Sequence, residues 1–172
     1  MPGVMITGNQ TINFLGASTA YYQPILVEKT ITVNEVMVNV STQGGAGAMG
    51  RISIYAASQT DYQPGALISD CGTVAVSTTG TKTITGLSVT LNPGLYHMRY
   101  QTDANATRPQ FRGQRAFIGR GNQPMGDTDQ YRYTAEASVA YAAAENPGTA
   151  FGAGAGTSSA IFCYWVRMRW AT

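Results

Sequence analysis

The sequence predicts an all-β protein: a single-domain antiparallel β-sandwich, jelly-roll-like, with about eight strands. Three observations carry the prediction. Residues 51 to 100 contain four apolar runs that alternate with polar residues at period two, the pattern of strands with one face on a core. The runs are separated by Gly, Pro, Asn and Asp, and no helical period appears between them. Finally, one-sided alternation of this kind fits antiparallel sheets, not parallel sheets covered on both faces.

From the N-terminus, residues 1–23 read as an extended arm and residues 24–172 as the sandwich domain. The segment from Thr11-Ile12-Asn13-Phe14 to Tyr21-Tyr22 mixes polar and aromatic residues. It has too little apolar surface to order itself, but could add strand hydrogen bonds to a partner. Two strands follow, Ile25 to Thr32 and Val36 to Thr42. Ile31 and Val33 share one parity and Val36, Val38 and Val40 the other, so a bulge or a corner between sheets is expected at Asn34-Glu35.

The next four strands are expected to form a meander. Ile52 and Ile54 face the core with Arg51 and Ser53 opposite, and Val74 and Val76 repeat the arrangement. In the last strand Tyr96, Met98 and Tyr100 face inward, with His97, Arg99 and Gln101 opposite. The predicted core comprises Ile52, Ile54, Leu67, Val74, Val76, Ile84, Val89, Tyr96 and Met98. Gln63-Pro64-Gly65 and Asn92-Pro93-Gly94 read as turns with Gly at positive φ, and Thr79-Gly80-Thr81 as a hairpin.

Residues 102–130 are rich in Gly, Gln, Asn and Arg and read as a long irregular insertion. A loop of that length is usually functional or pinned by a partner, which makes it the expected docking element. Tyr131 to Ala144 alternates at period two and reads as a strand in spite of its alanines, the alternative being a short helix ended by Asn146-Pro147-Gly148. Gly152 to Ser159 reads as a connector. The closing SAIFCYWVRMRW is apolar on both faces, so its second face should meet a subunit or a covering loop.

Composition narrows the function. Charged residues make up 12% of the chain, about half the usual ~25%. Thr, Ser, Gln and Asn take their place, giving a weakly self-repelling surface suited to cover by neighbouring subunits. The net charge of +2 is too small to imply a nucleic-acid partner. Arg108, Arg112, Arg115 and Arg120 alternate with Phe111 and Phe117, which could serve single strands by phosphate contact and stacking. Pairing with carboxylates across a protein interface is the favoured reading.

No signal peptide and no membrane-spanning run is expected, so synthesis in a cytoplasm is expected, and the three Asn-x-Ser/Thr matches are then fortuitous. Cys71 and Cys163 have no metal-ligand spacing, and whether they pair is left open. Gly45 to Gly50 matches GxGxxG, but a strand follows where a nucleotide site needs a helix. Asp127-Thr128-Asp129 lacks the rest of a calcium loop. His97 is the single histidine and has no nucleophile motif to serve. The expectation is a non-enzyme without cofactor or metal.

Five motifs then stand in order: Gly50 to Tyr55 (G-R-x-x-I-Y), Pro64 to Leu67 (P-G-x-L), Gly72 to Val74 (G-T-V), Gly80 to Ile84 (G-x-K-x-I) and Pro93 to Tyr96 (P-G-x-Y). Together they resemble a β-sandwich module recurrent in tailed-bacteriophage virion surface proteins. The resemblance implies a non-enzymatic, usually trimeric subunit on the virion surface. It is either a capsid decoration (cement) protein on the head or a receptor-binding tip of a tail fibre or tailspike. The short start before the domain favours decoration: a homotrimer clamping the major capsid protein, with residues 1–23 reaching across. In the rival reading the 102–130 loop and nearby tyrosines would recognise a host surface carbohydrate. The expected interface residues are Phe14, Tyr21, Tyr22, Arg108, Phe111, Arg112, Arg115, Phe117, Trp165, Arg167 and Arg169.

Overall fold

The computed structural model describes residues 5–13, 19–60, 62–103, 107–117, 134–137, 141, 163–164 and 166–171. All regular structure among them is β. The strands are β1 (Met5–Asn13), β2 (Thr19–Val27), β3 (Ile31–Thr42), β4 (Met49–Ala57), β5 (Pro64–Ala75), β6 (Gly80–Leu91), β7 (Gly94–Thr102), β8 (Gln110–Phe117), β9 (Thr134–Ala137), β10 (Cys163–Tyr164) and β11 (Val166–Ala171). They form two antiparallel sheets packed face to face, a β-sandwich. The first sheet runs β1-β8-β3, with β6 on one edge of β3 and β11 on the other; β10 pairs with β8. The second sheet has the order β5-β4-β7-β2-β9.

The pairings are nested. β4 pairs with β5, β3 with β6, β2 with β7 and β1 with β8, every pair antiparallel. The first eight strands therefore behave as one long hairpin whose tip lies between β4 and β5. Folding that hairpin over brings β7 beside β4 and β8 beside the end of β3. Of the links between the first eight strands, only β4 to β5 stays within a sheet; each of the others crosses the sandwich.

The core lies between the sheets. Val33, Val36, Val38 and Val40 of β3 meet Ile52 and Ile54 of β4, Met98 and Tyr100 of β7, Tyr21 of β2, and Phe111 of β8. Each such aliphatic side chain contributes about 1.5–3 kcal/mol by leaving water. Of the predicted core, Ile52, Ile54, Val76 and Met98 are buried there, and Val74, Ile84, Val89 and Tyr96 pack against it. Leu67 belongs elsewhere, against Ala20, Tyr22 and Tyr55 on the outer side of the second sheet.

Several expectations are corrected. Residues 51–100 supply four strands but no meander: β6 crosses to the other sheet, and β7 returns beside β4. The expected N-terminal arm contains strands: Met5–Asn13 pairs with β8, and Thr19–Val27 lies between β7 and β9. A segment too polar to fold alone is ordered by backbone bonds to strands far along the chain. The expected insertion likewise contains β8, at Gln110–Phe117. The strand expected from Ile25 to Thr32 is divided: β2 ends at Val27 and β3 starts at Ile31. At Asn34, by contrast, the expected bulge is present as a register shift between Val33 and Glu35 against β6, and it resets the parity without a change of sheet. The strand expected over residues 131–144 is described only at Thr134–Ala137, where β9 pairs with β2. The connector at 152–159 lies outside the described residues.

The turn chemistry also differs. Positive φ falls at Gly47, Gly72, Gly80 and Gly86, not at Gly65 or Gly94. Pro64 opens β5, an edge strand, where a missing N–H costs no ladder bond. Gly65 is constrained by space: a Cβ there would lie 3.2 Å from the Ala56 carbonyl oxygen. Gly80 serves a crossing between sheets, not a hairpin.

Candidate functional site: the two outer faces of the sandwich

The outer face of the second sheet is polar in sequence, and solvent was expected to cover it. It is buried instead. Ser53 is 0% exposed, His97 4%, Arg99 5% and Gln101 1%. Period-two alternation reports polarity, not exposure, and polar side chains can be buried when they bond one another. Arg99 donates to the Tyr55 hydroxyl at 3.3 Å and to Gln101 Oε1 at 2.7 Å. Arg51 of β4 pairs with Asp70 of β5, and its guanidinium lies 5.9 Å from the centre of the Tyr141 ring. Asp70 also accepts from the Gly72 amide at 3.1 Å. Tyr22 and Tyr55 meet edge to face, 5.5 Å between centroids. The array is braced from its ends: the Met49 amide donates to Asp103 at 2.7 Å, and the Thr102 hydroxyl donates to the Met49 carbonyl at 3.0 Å.

Burial also sets the acid–base behaviour of groups on both sides of the second sheet. Desolvation lowers the His97 pKa, partly offset by a hydrogen bond with the Tyr62 carbonyl. Tyr141 is raised, first by burial and then by the Asp103 charge, with Arg51 opposing. Cys71 is pushed up to about 12, chiefly by burial, with a Ser69 hydrogen bond lowering it and the Asp70 charge adding to the rise. Cys71 is a free, buried cysteine. Such a thiol behaves as a small hydrophobe and is a poor nucleophile. Among the described residues, no three His, Cys, Asp or Glu side chains are grouped to hold a metal.

The outer face of the first sheet has the opposite character. Thr81, Thr83, Thr85, Ser88 and Thr90 of β6 are exposed. Opposite them on β3 stand Asn39, Met37, Glu35 and Thr32. The polar side chains bond across the strands: Asn39 donates to Thr81 at 3.1 Å, Thr32 and Thr90 share a 3.5 Å contact, and Thr42 donates to Gln110 at 2.8 Å. Thr30 extends the row by donating to Asn92 at 3.2 Å. Glu35 is the only charged residue on this outward row of β3 and β6. Because Thr is β-branched and tied to a neighbour, the face loses little side-chain freedom when covered.

Among the described residues, those expected at an interface divide between the interior and the strands β8 and β11, with Arg108 just before β8. Tyr21 and Phe111 are core residues, 1% and 0% exposed, and Tyr22 sits under the buried polar layer. These three are corrected: they are large apolar side chains on inward-facing or covered strand positions, with no surface to offer. Arg108 and Arg112 are exposed at the start of β8. Arg115 and Phe117 lie on β8 and Arg167 and Arg169 on β11, placed by backbone register alone. Phe14 and Trp165 lie outside the described residues.

What sequence reading missed is the polar layer itself, Arg51, Asp70, Arg99 and Gln101, and the threonine row of β6. The signal for the first was present, since two adjacent strands each carry an arginine in a chain with few charges. The second was visible as Thr81-x-Thr83-x-Thr85. No family model matches this chain, and neither a curated protein nor a solved structure was found that resembles it.

Proposed function

We propose that this protein is a non-enzymatic bacteriophage virion subunit, a capsid decoration protein that stabilises the head by docking onto the major capsid protein as a homotrimer. The observation that carries the reading is the outer face of β3 and β6. It is exposed along β6 and half-buried along β3, carries Glu35 as the one charge on the outward row of those two strands, and ties Thr81 to Asn39 and Thr32 to Thr90 across them. A rigid surface of that kind suits permanent cover by a neighbour, because little is lost in ordering it and few charges have to be stripped of water.

Two further features support the proposal. The strand order β1-β8-β3-β6 facing β2-β7-β4-β5 favours reading the sandwich as a jelly roll, an architecture used by viral capsid proteins and lectins. The five motifs that resemble phage virion proteins fall on β4 to β7 and the turns between them. Both are analogies of fold and pattern, and they support the class of protein without naming its site.

The N-terminal segment is assigned a different part from the arm first expected. With β1 and β2 paired inside the sheets, deleting residues 1–23 would damage the fold and say nothing of docking. The informative variant is Thr83→Lys with Thr85→Lys, which places two charges on the exposed row. It should keep the circular dichroism and melting temperature of the parent, yet fail to co-sediment with capsids lacking the protein. Quantitative mass spectrometry of virions should find the protein at copy numbers comparable with coat protein. Copy numbers like those of tail proteins, or undiminished capsid binding by the folded double variant, would overturn the reading.

A further inference from the structure

Tyr62 is the one non-glycine residue with positive φ among the described residues, at 60°. Glycine, or at most asparagine, is the ordinary occupant of that region, because a Cβ crowds the neighbouring carbonyl. Tyr62 gains no burial in return, for its side chain is 63% exposed. A strained backbone persists only where its surroundings fix it, and here they do so in four places. The Ser58 amide donates to the Gln63 carbonyl at 2.8 Å and the Tyr62 amide to the Ser58 carbonyl at 3.1 Å. The Thr60 amide donates to Ser58 Oγ at 3.2 Å. His97, buried on β7, reaches the Tyr62 carbonyl through Nε2 at 2.9 Å.

That last bond accounts for the single histidine. A carbonyl can only accept, so Nε2 carries the proton, and burial favours the neutral ring. A buried side chain of the sheet thus holds the backbone of the β4–β5 tip, and the result is an aromatic ring displayed to solvent in a fixed place.

We propose that this hairpin tip is a binding site for a neutral sugar ring, with Tyr62 as the stacking platform. A single exposed ring matches the apolar C–H face of a pyranose. It is too small for a protein partner, which would need on the order of 800 Å² from each side. Leu26, the side chain of equal exposure, is on β2, two strands away from β4. The loop around Tyr62 offers the exposed Gln59 and Thr60, which bond hydroxyls, and residues 58–63 contain no lysine or arginine to attract an anion. An apolar platform with a few polar groups beside it is the usual composition of a small-ligand site. This inference is independent of the capsid reading, since the tip belongs to the second sheet, whereas β6 and β3, which carry the threonine row, belong to the first.

Saturation-transfer NMR of the full chain with millimolar glucose, galactose, mannose and N-acetylglucosamine tests it. At least one sugar should bind, with Tyr62→Phe close to the parent and Tyr62→Ala weaker by about tenfold. Tyr62→Gly should lose binding while raising the melting temperature, because glycine relieves the strained φ; a merely structural tyrosine would give the opposite shift. Binding of none of the four sugars, unchanged binding by Tyr62→Ala, or a lower melting temperature for Tyr62→Gly would overturn the proposal.

Discussion

The Tyr100 ring occupies the space that a side chain at residue 50 would need: a Cβ on Gly50 would fall 2.7 Å from Tyr100 Cε2. The ring crosses the core from β7 and meets Phe111 of β8 edge to face, 4.8 Å between centroids. The glycine that opens the G-R-x-x-I-Y motif is therefore a packing requirement, tying β4 to the contact that joins the two sheets.

Replacing Gly50 with Ala is expected to destabilise the fold by about 1–3 kcal/mol, the usual cost of overpacking a filled core. Urea denaturation should show a lower midpoint with an unchanged slope. A neutral effect would mean that the Tyr100 ring has room to shift.

Arg99 supports a second prediction. It is buried and bonded to Tyr55 and Gln101, and no carboxylate pairs with it among the described residues. Removing an acceptor leaves the charge in place, whereas removing the charge relieves the site. Gln101→Leu should therefore cost more than Arg99→Met, by about 1–2 kcal/mol in denaturant midpoints converted to free energy. The reverse order would show that the guanidinium stabilises the layer outright.

The third concerns pH. The folded pKa of His97 lies below its ordinary value of 6.5, chiefly through burial. Above that value both folded and unfolded chains hold the ring neutral, and stability is undiminished. As pH falls through it, the unfolded chain takes up a proton that the folded one resists, so stability declines until the folded pKa is passed. Melting temperature measured from pH 7.5 down to pH 5 should fall in the parent. The part due to this residue should vanish in His97→Gln.

Cys71 supplies the fourth. With its thiol pushed up to about 12 and the side chain buried, almost no thiolate exists at pH 8. Iodoacetamide should modify it at the rate of global unfolding, as peptide mass spectrometry would record. Fast alkylation in native buffer would contradict the burial.

How much of this was legible in the sequence depended on how local each feature is. The faces of β4 and β7 could be read because Ile52, Ile54, Met98 and Tyr100 alternate with polar neighbours, and the bulge at Asn34 because parity changes between Val33 and Val36. Partner choice was hidden. Nothing near Gly80 says that β6 leaves the sheet of β5, and nothing in Met5–Asn13 announces β8 one hundred residues later. The buried layer was hidden for another reason. Arg99 and Gln101 look the same in sequence whether water or another side chain satisfies them. The tyrosine at 62 was invisible as a strained residue because its φ is imposed from outside, by His97 and Ser58.

The nesting of the strand pairs has a kinetic consequence. Contacts between residues distant in the chain ordinarily make β-proteins slow to fold, because each demands the closure of a large loop. Here each closure shortens the next. Once β4 and β5 join, the ends of β3 and β6 are already near one another, and the same holds outward to β1 and β8. Assembly can proceed as a zipper from the tip of the long hairpin, with β1 the last of these strands to engage. Native-state hydrogen exchange would register that order as protection declining from β4 towards the N-terminal strand, the first to open under strain.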